Sequence, residues 1–209
     1  MRLPAVQHSA FTDMPKKATE GKDTMILETP RLILREMTQE DYPALAEILQ
    51  DGEAMFAYEH AFSVEETQAW LNRMLERYRT DGFGLWAVLL KETGEMVGQC
   101  RLTWQSYMGQ QVLEIGFLFQ RKHWKNGYAI EAARACKHYA FETLHAGEVF
   151  SIIRDNNVAS MNVAIRNGMT IRGKFIKHYY GIDMPHFTFS VRKEQQINDQ
   201  ANSLYIEGR

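Results

Sequence analysis

The stretch from Val112 to Ala140 limits the fold of this chain more than any other. It opens with VLEIGFLF (Val112–Phe119), which has the length and apolar character of a strand. A basic turn, Gln120 to Asn126, and Gly127 follow at once. Beyond them Ala129, Ala132, Ala133, Cys136 and Ala140 share one narrow face of a helix from about Gly127 to Phe141. Small residues on that face let the helix lie close against a sheet. The first turn of such a helix presents unpaired N–H groups and a partial positive charge, and a glycine there lets a ligand approach the backbone. Lys125, Asn126, Gly127, Tyr128 and Ala129 would supply these amides, with Lys122 and Lys125 adding charge. The same residues also suit a plain helix start behind a solvated turn.

The flanking sequence supplies the rest of a sheet. Arg31–Met37 alternates apolar and polar residues as a half-buried strand does. Thr38 with Asp41, and Ser63 with Glu66, stand at capping-box spacing before two helices. The first runs through Leu45, Ile48 and Leu49. The second carries Val64, Thr67, Leu71, Met74, Leu75 and Tyr78 and ends before Asp81-Gly82. Leu85–Trp104 reads as strand, turn and strand, and YMGQQ turns the chain into Val112–Phe119. Glu148–Arg154 is a buried strand. Asp155 or Asn156 then caps a short helix through Val158, Met161 and Ile165, closed by Gly168. TIRGKFIKHYY and HFTFSVRK supply two last strands. The expected fold is α+β, a mixed, mostly antiparallel sheet with helices packed on it.

Bulk properties exclude several classes. A net charge of −2 argues against a coat for nucleic acid. No apolar run approaches the roughly 20 residues of a membrane span, and the N-terminus has no signal-like segment. Cys100 and Cys136 make no disulfide framework, and the seven histidines show no metal-ligand spacing. A cytoplasmic protein, monomeric or homodimeric, without metal, membrane or nucleic-acid partners is expected. Residues 1–24 read as a mobile leader and 25–194 as the domain. Residues 195–209 read as a polar tail, ending in IEGR, which resembles a factor Xa recognition sequence and is either appended or native.

Neither GxxxxGK nor GxGxxG occurs around Gly127, so a P-loop and a Rossmann fingerprint are excluded. NVASMNVAIRNGM (Asn157–Met169) follows the next strand with a polar cap, Ser160, Asn162 and a closing glycine. With LEIGFLF, the W-x-x-G-x-A of Trp124–Ala129 and the opening ETPRLILRE, the chain resembles the GNAT acetyltransferases, and within them the RimJ/RimL-type branch, from about Met25 to Lys193. Trp124 departs from the Gln or Arg usual at that loop position.

The resemblance implies an N-acetyltransferase that moves acetyl from acetyl-CoA directly to a primary amine, a protein N-terminus or a small amine. It implies that the backbone of Phe117, Leu118 and Phe119 pairs with the pantetheine arm. The loop Trp124, Lys125, Asn126, Gly127, Tyr128 and Ala129 would hold the pyrophosphate. Asn157 would hydrogen-bond the pantetheine, and Ser160 and Asn162 would face the thioester end or the cofactor wall. Helix capping is the plainer role for Asn157 and Ser160.

Glu114 shares a side of its strand with Gly116 and Leu118, so it is either solvent-facing or set in a cleft. An amine with pKa near ~10 must lose a proton before attacking a thioester, and a carboxylate acting through water can accept it. The family's usual acid, a tyrosine four positions before the closing glycine, is Ala164 here. Ser160 then becomes the catalytic hydrogen-bond donor, with water or Tyr179 as alternatives. Cys136 as an acyl carrier is set against simple packing. The acceptor pocket is expected around Tyr58–Phe62, Trp104–Tyr107 and Lys177–His186, with Phe56, Tyr58, Phe62, Trp104, Tyr107 and Tyr179 as wall or core. A catalytically silent acyl-CoA-binding module is the alternative function, and an RNA binder using RKHWK a remoter one.

Overall fold

The structure is a computed structural model and describes residues 25–179 and 181–195. The chain runs β1 (Met25–Glu28), β2 (Leu32–Glu36), α1 (Tyr42–Leu49), α2 (Val64–Thr80), β3 (Leu85–Leu90), β4 (Met96–Tyr107) and β5 (Gln110–Phe119). It continues through α3 (Tyr128–Glu142), β6 (Glu148–Arg154), α4 (Val158–Arg166), β7 (Thr170–Tyr179) and β8 (Ile182–Arg192). The strands form one sheet of eight in the order β1-β2-β3-β4-β5-β6-β8-β7. Every pairing is antiparallel except β5 with β6. Among the described residues no helix is long and apolar enough to cross a membrane.

Alternation along β3 separates two cores. Trp86 and Val88 join α3 and α4 on one face, with Ala132, Ala133, Cys136, Ala140 and Ala164 fully or nearly fully buried. Leu85 and Ala87 join α1 and α2 on the other, with Leu45, Ile48, Leu49, Leu71 and Met74. The small-residue face of α3 therefore does pack on the sheet. Both capping boxes are present: Thr38 with Asp41 closes the turn that leads into α1, and Ser63 with Glu66 starts α2.

The expected elements differ from the structure at a few points. Met25–Glu28 is an additional edge strand, paired with β2. β4 continues past Trp104 to Tyr107, because Met108 (φ 49°) and Gly109 (φ 76°) make a two-residue hairpin turn with positive φ at both positions. Val64, Val158 and Ile165 hold helical spacing but face outward, 59, 63 and 57% exposed. The interior of α4 is carried by Ala164. Met1–Thr24, Tyr180 and residues 196–209, with the proposed leader and most of the tail, lie outside the described residues.

The parallel pair β5–β6 is in register only at Glu114 with Phe150. Beyond that point the two strands part, and among the described residues the remainder of β5, Gly116 to Phe119, pairs only with β4. This wedge is where the site forms.

Candidate active site

A cavity of about 380 Å³ opens in the wedge, between α2, β5, the end of β6 and the start of α4. Glu114 lies in its wall and is 3% exposed. The cleft alternative for this residue therefore holds, and the solvent-facing one does not. Glu114 Oε2 accepts from Arg101 Nη2 at 3.0 Å and Oε1 from the Ile152 amide at 3.2 Å. A buried carboxylate needs such compensation. Arg101 stands opposite Gly116 in the β4–β5 register, and its side chain runs diagonally across that glycine to reach Glu114. A Cβ at position 116 would lie 2.4 Å from Arg101 Nε, so Gly116 is what leaves room for the ion pair. Each oxygen of Glu114 retains a lone pair for a further donor.

The open edge of β5 can be read residue by residue, because the backbone groups of successive strand residues point to opposite sides. Ile115 O accepts from Ser151 Oγ on the β6 side at 2.8 Å, and the Gln120 amide bonds Val97 O on the β4 side at 3.0 Å. Phe117 therefore turns its N–H and C=O to the open side, whereas Leu118 turns its own toward β4. Phe119 is buried, and its outward carbonyl accepts from Trp124 Nε1 at 2.9 Å. Of the three residues expected to pair with a pantetheine arm, Phe117 is thus the one with both backbone groups available. Trp124 fastens the loop back onto the strand it leaves.

The loop itself is shaped for an anion. Lys125 (φ 66°) and Gly127 (φ 80°) both adopt left-handed backbone, and no side chain caps α3 at Gly127. A non-glycine residue in that region is strained unless its surroundings impose it. Successive amides in such a turn, ahead of a helix, form a concavity that suits phosphate.

What imposes the conformation is Arg31, whose role no local sequence pattern signals. Arg31 Nε and Nη2 reach Glu131 Oε2 at 2.7 and 2.6 Å, and Nη1 donates to Asn126 O at 2.9 Å. The guanidinium also lies 4.8 Å from the centroid of the Tyr128 ring. Thr29 Oγ1 and the Arg31 amide both donate to Glu131 Oε1, at 2.7 and 2.9 Å. Burial alone would push Glu131 up, but these hydrogen bonds and the guanidinium outweigh it and hold its carboxyl below the ordinary value. The Thr-Pro-Arg of the opening motif is thus a clamp on the first turn of α3. Lys122 is directed elsewhere, pairing with Glu47 at 3.3 Å and Glu95 at 3.0 Å.

Asn157 caps α4, its Oδ1 accepting from the Ser160 amide at 3.0 Å, and both residues also line the cavity. The capping role is therefore real, and it coexists with a place at the site. Asn162 is exposed on α4 and does not line the cavity. Nor do Trp124 to Ala129, which stand at the far end of β5. Tyr58, Phe62, Lys177 and His186 are in the wall as expected, joined by Trp70, whose place no local pattern signals. Phe56, Trp104 and Tyr107 are not, Tyr107 packing instead on Phe150 and Phe175. The Tyr179 side chain is outside the described atoms. Ala164 is 2% exposed and offers no donor. Cys136 is fully buried with its sulfur 3.3 Å from that of Cys100, and burial first, then Cys100, pushes its thiol well above the ordinary value. A buried neutral thiol is packing, not a nucleophile.

Comparison with known proteins agrees with this geometry. A family model described as an acetyltransferase (GNAT) domain matches residues 31–170. YkkB of Bacillus subtilis (strain 168) is 39% identical over 144 residues, covering 68% of this chain and 84% of that protein. The structure of a GNAT-family acetyltransferase from Bacillus anthracis is similar with a TM-score of 0.71 at 25% identity, over 81% of this chain and 99% of that one. RimL, a ribosomal L7/L12 alpha-N-protein acetyltransferase solved in complex with coenzyme A, shares the fold. Its TM-score is 0.66 at 20% identity, over 81% of this chain and 98% of that one. The chain belongs to the GNAT family and is an acetyl-transferring enzyme.

Proposed function

We propose that residues 25–194 form an N-acetyltransferase that uses acetyl-CoA as donor and a primary amine as acceptor, in the RimJ/RimL-type branch of the family. One observation carries this reading. Within the stretch from Glu114 to Ala129, a buried carboxylate, an open strand edge and an uncapped helix start follow one another along one direction. That is the order in which a reacting end, an amide-bearing arm and a pyrophosphate would need partners. The coenzyme A held by the fold-sharing RimL is consistent with it.

When bound, acetyl-CoA supplies an activated acetyl thioester. The amides at Lys125–Ala129 hold its phosphates, and the N–H and C=O of Phe117 pair with the arm. Asn157 contributes a side-chain amide at the cavity, while Asn162 stands toward the outer side of α4. Transfer forms a C–N bond and breaks a C–S bond, giving an amide and a free thiol. Glu114 takes the proton lost by the amine, directly or through one water, on an oxygen already oriented by Arg101 or by the Ile152 amide. Arg101 and Ile152 keep the carboxylate fixed rather than mobile. Ser160 Oγ, at the cavity wall, is the donor that faces the leaving sulfur in place of the absent tyrosine. No acyl group passes through cysteine, since both thiols are sealed in the core.

The test is release of free thiol from acetyl-CoA across a panel of amines and N-terminal peptides, with the acetylated product identified by mass. Acceptor-dependent release supports the reading. Stabilisation by acetyl-CoA without turnover of any amine argues against direct transfer.

A further inference from the structure

The wall of the cavity carries several basic side chains besides Arg101. Arg73 and Arg77 reach it from α2, Arg154 from the end of β6 and Lys177 from β7. Arg101 is balanced by Glu114, which leaves Glu59 as the remaining acidic side chain among the described lining residues. Three guanidiniums, those of Arg73, Arg77 and Arg154, thus share the described wall with one further carboxylate, Glu59. Arg73, Arg77 and Arg154 enter no ion pair among the described residues. Arg154 donates to the carbonyls of Phe56 and Tyr58, at 2.9 and 3.4 Å, and Arg73 lies 5.8 Å from the Trp70 ring. Burial, then the neighbouring guanidiniums of Arg101 and Arg73, push Arg77 down, with Asp81 and Glu114 acting in the opposite sense. Burial likewise pushes Lys177 down.

Like charges gathered on one cavity wall repel, and poor solvation makes the repulsion costly for the half-buried Arg77 and Arg154, with Arg73 exposed at the rim. An anion placed among them relieves both terms and gains charge-assisted hydrogen bonds. The donor's phosphates are not that anion, because the loop assigned to them, Trp124–Ala129, contributes nothing to this cavity. Size narrows the choice further. A volume of about 380 Å³ is at the small end for ligand sites, and under the acetyl-transfer reading the donor arm would fill the part beside Phe117 and Asn157.

We propose that the acceptor is a small primary amine that itself carries a carboxylate or phosphate, with the anionic end held by Arg77 and Arg73 and the amine directed to Glu114. This rests on the acetyl-transfer reading of the same cavity. Trp70, with the guanidiniums of Arg73 and Arg101 at 5.8 and 5.9 Å from its ring centroid, forms the wall on which the acceptor's carbon skeleton lies.

The experiment compares matched acceptors with the full chain and acetyl-CoA: L-serine with L-serinamide, β-alanine with its amide, and aminoethyl phosphate with ethanolamine. A peptide with an acidic N-terminus is added. The amides have the more easily deprotonated amine, so intrinsic reactivity favours them, and any preference for the carboxylates reports recognition. The anionic members are expected to show kcat/KM at least about tenfold higher. The carboxylate and phosphate pairs tell which anion is preferred. Arg77→Gln should remove that preference through acceptor KM while leaving the KM for acetyl-CoA unchanged, and Arg73→Gln provides the same readout if the first variant is unstable. Equal or better use of the neutral partners overturns the proposal, as does turnover of the acidic peptide alone. If no small amine turns over, the same panel is read as thermal protection of the protein with acetyl-CoA, and absence of protection by the anionic members overturns it. Failure of acetyl-CoA itself to protect the protein would instead bring down the parent reading, and this inference with it.

Discussion

Replacing Glu114 by Gln separates the chemical role of this carboxylate from its structural one. The substitution keeps the shape and one carbonyl oxygen, so either the Ile152 amide or Arg101 Nη2 can still be satisfied. What is lost is the charge beside Arg101, whose side chain is 19% exposed against 4% for Glu114. Breaking a buried pair outright costs about 3–5 kcal/mol, but a retained acceptor brings the expected loss nearer ~1–3 kcal/mol. A domain of ordinary stability, about 5–15 kcal/mol, remains folded. Turnover should fall by ~10²–10⁴-fold, the usual contribution of a positioned general base, with acetyl-CoA affinity unchanged. That range equals about 3–5 kcal/mol of barrier. The assay is thiol release from about pH 7 to about pH 10, the interval over which an alkylammonium with pKa near ~10 becomes free base. The gap between variant and parent should narrow as pH rises, because more acceptor arrives already deprotonated. Equal turnover would remove Glu114 from the chemistry, and a gap that stays constant to high pH would show that it positions the acceptor instead.

Three further outcomes follow from the geometry. Arg31→Ala should weaken acetyl-CoA about tenfold by titration, by loosening the turn at Asn126–Tyr128. It should change thermal stability by no more than ~1 kcal/mol, because the guanidinium is half exposed and its ion pair is screened. Glu131→Gln should lower the melting temperature above the ordinary carboxyl value of 4.5, where the parent's carboxylate is ionised and clamped. Its folded-state value is held lower, so the parent's advantage should fade as pH falls through that lower value, and melts across acid pH would show it. Cys100 and Cys136 should resist an aqueous thiol reagent in the native state and react on unfolding. Intact mass after incubation with acetyl-CoA should show no acetyl on either.

Local signals are legible in the sequence because their partners are local. Thr38 with Asp41 and Ser63 with Glu66 sit three residues apart, and the alanine face of α3 is complete within one helix. The alternation of β5 correctly put Glu114 on the side of Gly116 and Leu118, yet it left open what covers that side. The answer depends on Arg101, across a hairpin, and on where β6 parts from β5. Arg31 was invisible for the same reason, its partner Glu131 lying 100 residues further along the chain. Helical spacing misplaced Val64, Val158 and Ile165, since period tells which residues share a face and not whether anything packs on it. Met25–Glu28 was too short to show a period of its own, and pairing with β2 alone makes it a strand.

The central claim, that the turn ending at Gly127 holds the donor's phosphates, is tested most directly by titrating acetyl-CoA into the parent and into Gly127→Val by calorimetry. Position 127 has φ 80°, where a β-branched residue is strained by about 1–2 kcal/mol, and its Cβ would stand 3.4 Å from Arg31 Nη2. The fold should survive that cost, as a thermal melt would show, while the concavity of amides would not. Saturable binding to the parent is expected, with an affinity at least about tenfold weaker, or more than ~1.4 kcal/mol, for the folded variant. Equal affinity in the two proteins would contradict it.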